Sequence, residues 1–226
     1  MDNFLVQKRC FVPILLYFCA KIQISMVDST AKRIETAIAS EPEGKIVFST
    51  DYAELGTPEA IKKSLIRLCE RNVIVRQAHG IYYKPKFDKE LGLGMLLPSL
   101  DDIAQAIAKR DHSRIVPTGD YALNSLGLST QVPANAVYLT DGSPRRISVG
   151  KGHGIMFKHT SELKALSFRS DLMMRIVSAM RAIGEGKITD EQKRILKEHI
   201  NNVAEGDYNE DIKLAPAWVR KELIAL

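Results

Sequence analysis

Cysteine is scarce and poorly placed for chemistry in this sequence. Three occur (Cys10, Cys19 and Cys69), an odd number at wide spacing with no CxxC pair. That suggests neither a disulfide framework nor a zinc site, and it makes a reducing cytoplasm the expected location. Internal repeats and low-complexity tracts are also missing, which removes solenoids and biased tails from consideration. No GxSxG elbow or HExxH helix organises the serines and histidines. His153 and His159 flank one expected strand without a Cys or second-His pattern for a metal, so surface or packing roles are expected for them. Nor is there an apolar run of membrane-spanning length near the start, where Lys8 and Arg9 precede only the stretch from Cys10 to Ala20. Those first residues resemble the charged and hydrophobic parts of a signal peptide but lack a small-x-small cleavage site. Residues 1–25 are read as a dispensable extension, with ordinary helix signals beginning after Met26; a membrane-targeting segment is the rival reading.

What is present is enough apolar material for real cores, 45% of 226 residues, and room for one large domain or two modest ones. Lys and Arg number 32 against 27 Asp and Glu, a net charge of +5 that gives a mild bias toward acidic partners such as nucleic acid.

The pattern becomes regular from Ser29. Ile34, Ala37 and Ile38 recur at helical spacing before Pro42 and Gly44 stop the helix. KIVF (45–48) reads as a strand, and STDYAEL as a short helix capped by Ser49 or Thr50 and closed by Gly56. Thr57 and Pro58 supply an N-cap and first-turn proline for a helix to about Asn72. VIVRQ (73–77) and GIYYKP (80–85) then form two strands around Ala78, His79 and Gly80. Helix, strand, helix, turn, helix, hairpin is the order of a winged helix-turn-helix, assigned to residues 26–87.

On a helical wheel, Leu65 and Leu68 fall within about 40° of Ile61 and form the buried stripe. The other side carries Glu59, Lys63, Ile66, Arg67 and Glu70, with Lys62 on the flank. A recognition helix needs this layout, because an apolar stripe anchors it while Lys and Arg reach phosphates or guanine edges. Ile66 could meet a thymine methyl or a partner subunit. The expected DNA-binding residues are Thr57, Lys62, Lys63 and Arg67 on the helix, with Arg76, His79 and Lys84 on the wing. The plainer alternative is a solvated helix face.

KFDKELGLGMLLP (86–98) is glycine-rich and weakly periodic, which makes 88–98 the expected linker. Residues 99–226 are read as a mixed C-terminal domain. Ser99 caps a helix with Asp102 in its first turn and Ile103, Ala104 and Ile107 on its buried face; TGDYALNSLG follows as a short helix opened by Thr118 and closed by Gly127. NAVYLT, PRRISVG and GIMFKHT are expected as an antiparallel β-meander, with Asp141-Gly142-Ser143 as hairpin turn chemistry. Leu172, Ile176, Val177, Met180 and Ile183 make a helical stripe, and Thr189 with Gln192 a capping box for a helix to about Val203. Tyr121 could stack on a base, but core packing is the expected role. Arg145, Arg146, Lys151 and Lys158 put positive charge on the β region, either as a second nucleic-acid patch or as a solvated hairpin. The fold class is therefore α+β.

The stretch from Gly44 to Lys86, ending in GIYYKPK, and the block PTGDYALNSLGLSTQVP…VYLTDGSPR resemble the AbiEi-like antitoxins of bacterial type IV toxin–antitoxin, or abortive infection, systems. The resemblance covers roughly residues 30–185. It implies a winged helix that represses its own operon and a C-terminal domain that counteracts a nucleotidyltransferase-like toxin without forming a stable complex. The extension and the acidic segment EGDYNEDIK (205–213) lie outside it. Asp141-Gly142-Ser143 is followed by Pro144-Arg145-Arg146 instead of paired metal-binding carboxylates, so the toxin's own chemistry is not expected in this chain. The expected function is thus an antitoxin and autorepressor bound to double-stranded operator DNA, as a homodimer if the operator is an inverted repeat. It is not expected to be an enzyme: no catalytic residue, metal or cofactor is expected, and no membrane partner. The alternatives are an orphan winged-helix regulator with no toxin partner and, well behind it, a metal-dependent nuclease.

Overall fold

The computed structural model describes residues 29–226 apart from 89, 91 and 151. The expected extension, with Cys10 and Cys19, lies outside the described residues, as do Met26 and Lys151. The chain divides into two compact units, one running to Arg76 and taking in Gly80–Phe87, the other holding Gln77–His79 and Asp88–Leu226. The fold is α+β.

In the first unit, α1 (Thr30–Ser40) is capped by Ser29, whose side chain accepts from the Lys32 amide, and buries Ile34 and Ile38. β1 (Ile46–Phe48) leads into a 3-10 segment, Ser49–Leu55. Here Asp51, not Ser49 or Thr50, provides the cap, its carboxylate accepting from the Phe48 amide at 2.8 Å. Gly56 joins this segment to α2 (Pro58–Glu70). A Cβ on Gly56 would lie 2.5 Å from Thr30 Cγ2, so a side chain here would collide with α1. Strands β2 (Val75–Ala78) and β3 (Ile81–Tyr83) complete a sheet of order β1-β3-β2, with Ile46 opposite Tyr83 and Phe48 opposite Ile81. Element order and strand order are those of a winged helix-turn-helix. Its core joins Ile34 and Ile38 of α1 with Tyr52, Ile61, Leu65, Leu68 and Tyr82.

β4 (Lys86–Asp88) follows, and the stretch expected as a linker carries a three-residue strand of its own, β5 (Gly94–Leu96). In the second unit α3 (Leu100–Arg110) opens with the capping box of Ser99 and Asp102 and buries Ile103, Ala104 and Ile107. A sheet of order β6-β7-β9-β8 comprises β6 (Ile115–Pro117), β7 (Asn135–Thr140), β8 (Arg145–Val149) and β9 (His153–His159). It is not the expected antiparallel meander. β8 and β9 form a hairpin, but β7 pairs with β9 in parallel, Tyr138 opposite Phe157. Asp141-Gly142-Ser143 therefore closes no hairpin and carries the chain past β9 to the far edge of the sheet.

Between β6 and β7 lies α4 (Asp120–Ser125), with Gly119 at its N-cap; Thr118, expected to open this helix, gives its amide to the Val137 carbonyl instead, at 2.9 Å. The helices α5 (Asp171–Ile183), α6 (Asp190–Ile200), α7 (Glu205–Asp211) and α8 (Ala217–Ala225) complete the unit. Their core contains Met173, Ile176, Val177 and Met180 of α5 with Leu196, Val219 and Leu223. The Asp211 carboxylate, fully buried, accepts the amides of Arg169 and Ser170 at 2.8 and 2.9 Å, tying α7 to the start of α5. No described helix is long and apolar enough to cross a membrane.

Candidate nucleic-acid interface

α2 begins where the sequence dictates. Thr57 Oγ1 accepts from the Ala60 amide at 3.4 Å and Pro58 occupies the first turn, where its missing N–H costs nothing. Thr57 is thus already engaged in capping. The helix ends on Asn72, at φ 57°, with the Asn72 amide on the Cys69 carbonyl and the Val73 amide on the Leu68 carbonyl, both at 3.0 Å. This is a Schellman motif in which asparagine takes the left-handed position usually given to glycine. Ile61, Leu65 and Leu68 are buried as the wheel requires.

The outward face brings Lys62, Lys63 and Arg67 together, all exposed, around Ile66, which is 40% exposed. Among the described residues no carboxylate pairs with any of these three cations. Arg71 pairs with Glu35 of α1 at 3.0 Å. Arg33 donates to the Leu55 carbonyl at 3.3 Å. Burial raises the Cys69 thiol against the opposing charge of Arg76, which is exposed on β2. His79 is exposed at the β2–β3 turn, where Gly80 adopts φ 72°.

Lys84 does not belong to this surface. Its ammonium donates to the carbonyls of Ile38 at 3.0 Å, Ala39 at 2.8 Å and Glu41, which occupies all three donors at the end of α1. The expected wing contact is instead a helix cap, satisfying carbonyls that the helix itself leaves open.

Of the basic patch expected on the β region, Lys151 lies outside the described residues and Arg145 is turned away from Arg146 and Lys158. Arg145 stands opposite Phe157 and Arg146 opposite Met156, so the alternation of the strand puts the two arginines on opposite faces. The Arg145 guanidinium pairs with Asp111 and lies 5.3 Å from the centre of the Phe157 ring. A hydrogen bond from Arg110, with Arg145 adding to it against the cost of burial, holds the Asp111 carboxyl below the usual carboxylate range. Arg146 and Lys158 are exposed on the other face.

Tyr121 packs on Tyr138, ring centres 5.7 Å apart. The Tyr138 hydroxyl, pushed up by burial and by Asp101, donates to Asp101 at 2.6 Å, and Arg175 closes the group at 2.8 Å. Tyr121 is a packing residue, as expected. Among the described residues no group of three His, Cys, Asp or Glu side chains could hold a metal ion.

Sequence reasoning found the α2 face but missed a cleft of about 640 Å³ in the second unit, walled by α5, the β6–α4 turn and the segment before α8. Its lining comes from positions as far apart as Val116 and Arg220, so no local motif marks it.

Comparison with curated proteins and with solved structures finds no match. A family model does match, over residues 33–209, which takes in α2, the wing and the four-stranded sheet. The chain belongs to DUF6088, a family of unknown function.

Proposed function

We propose that this protein is a DNA-binding regulator that reads its operator with α2 and represses its own operon, as the antitoxin of a type IV toxin–antitoxin pair. The observation that carries the DNA reading is the set of three cations, Lys62, Lys63 and Arg67, without carboxylate partners among the described residues, on the exposed face of the third helical element of a winged helix-turn-helix. Phosphates draw such cations by counterion release, and guanine edges accept from Lys and Arg in the major groove. Ile66 among them offers an apolar contact for a thymine methyl. The antitoxin role rests on the resemblance of residues 30–185 to AbiEi-like antitoxins. The C-terminal unit would then oppose a nucleotidyltransferase-like toxin.

The test is a fluorescence-anisotropy titration of the full chain against the DNA upstream of its own gene, with scrambled DNA alongside and salt varied. Selective binding that weakens steeply with salt is expected. Equal, weak binding to both DNAs would leave the α2 face a solvated surface. Co-expression with the neighbouring reading frame then separates an antitoxin, which rescues growth, from an orphan regulator, which has no toxin to oppose.

A further inference from the structure

The cleft in the second unit carries an assignment of its own. Its volume, about 640 Å³, is that of a small-molecule site. Half-buried Phe168 lines it beside Met174 and Val177 of α5. Its rim is charged: Lys164, Arg181, Lys213 and Arg220 line it with Asp120 and Glu162, and Lys213 is already paired with Glu210 at 2.8 Å.

How these charges are held matters more than their number. Arg181 is neutralised by Glu162 at 2.9 Å. Arg220 is fixed by the carbonyls of Lys213 and Ala215, at 3.1 and 3.3 Å, contacts that position a guanidinium without neutralising it. Lys164 has no ion pair among the described residues. Lys164 and Arg220, from separate segments, therefore border one cavity without an ion pair among the described residues, an arrangement that attracts an anion. The Ser178 hydroxyl donates to the Pro117 carbonyl at 2.5 Å, stitching α5 to β6 in a fixed frame.

We propose that this cleft binds a nucleoside phosphate, its ring against Phe168, its phosphates between Lys164 and Arg220, and Asp120 accepting from a polar N–H or O–H of the base or sugar. An inorganic anion would use only Lys164 and Arg220 and an uncharged nucleoside only Phe168 and Asp120, so the combination selects a ligand with both parts. This assignment is independent of DNA binding by α2, since every lining residue belongs to the second unit.

Isothermal titration of the full chain with ATP, CTP, GTP and UTP in turn, and with tripolyphosphate and adenosine as partial ligands, tests it. At least one nucleotide is expected to bind saturably, and about tenfold more tightly than either partial ligand. Lys164→Glu, a change at an exposed residue, is expected to weaken that binding by about tenfold or more, the scale of one lost charge-assisted contact. Lys197→Glu on α6, which does not line the cleft, is expected to leave it unchanged. The proposal is overturned by absence of saturable binding for all four nucleotides, by tripolyphosphate binding as tightly as they do, or by equal losses in the two lysine variants.

Discussion

Lys84 donates to the carbonyl of Ala39 at 2.8 Å, linking the end of β3 to the end of α1 across the winged unit. A lysine in a wing strand reads as a phosphate contact, and here its charge serves the domain's own helix terminus. Lys84→Met keeps the aliphatic stem and removes the donors. We expect it to destabilise the winged unit by about 2 kcal/mol, because three carbonyls lose a charged partner. Chemical denaturation measures this loss. The salt slope of DNA binding by the folded variant should stay at the wild-type value, whereas a slope lowered by about 0.9 would return Lys84 to the interface.

The α2 face predicts the opposite pattern. Lys63→Ala with Arg67→Ala should leave stability within about 0.5 kcal/mol, since both residues are exposed and without carboxylate partners among the described residues. Operator affinity should fall, and the slope of log affinity against log salt should shrink by about 2, one unit per lost phosphate contact. Anisotropy at several salt concentrations reads both quantities. An unchanged slope would remove this helix from the interface.

These two lysines also mark how far the sequence could be read. The outward position of Lys63 follows from periodicity within one helix of 13 residues, and so do the buried positions Ile61, Leu65 and Leu68. The capping boxes of Ser99 with Asp102 and Thr189 with Gln192 were legible for the same reason, each being a reciprocal pair within one turn. The role of Lys84 depends on carbonyls more than forty positions earlier in the chain, which no window around Lys84 contains. Arg145 is similar: strand alternation parts it from Arg146, but its pairing with Asp111 requires the tertiary fold. The parallel pairing of β7 with β9 has no local signature, since turn residues between β7 and β8 suit a hairpin and a crossover equally. β6 was missed because three residues, Ile115–Pro117, are too few to show a period.

Gly56 is constrained by space and not by its backbone angles, since its φ of 169° is open to any residue. A Cβ would meet Thr30 Oγ1 at 2.7 Å as well as Cγ2. Gly56→Ala should therefore destabilise the winged unit by about 2 kcal/mol, the usual scale for forcing a methyl into a packed contact. Thr30→Ala removes both clashing atoms, and the double variant should be at least about 1 kcal/mol more stable than the sum of the single effects. Strict additivity in this double-mutant cycle would mean that α1 and the α2 entry do not meet at these residues.

Asp111 gives the second unit a defined sensitivity to acid. Its folded-state carboxyl titrates below the ordinary value of about 3.9, chiefly through the Arg110 hydrogen bond and also through Arg145. A carboxyl depressed by folding contributes stability that is complete above the unfolded value and disappears as pH falls through the lower folded value. Asp111→Asn should accordingly be less stable than wild type at neutral pH, with the gap constant down to about pH 4. Below that the two stabilities should converge as Asp111 of the wild type takes up its proton. Arg145→Met should show a smaller gap of the same form, because Arg110 still holds the carboxylate at 2.7 Å. Urea denaturation at a series of pH values between 2 and 7 reads both gaps; a gap that stayed constant throughout would show that the Arg110–Asp111–Arg145 cluster does not distinguish the folded carboxyl from the unfolded one.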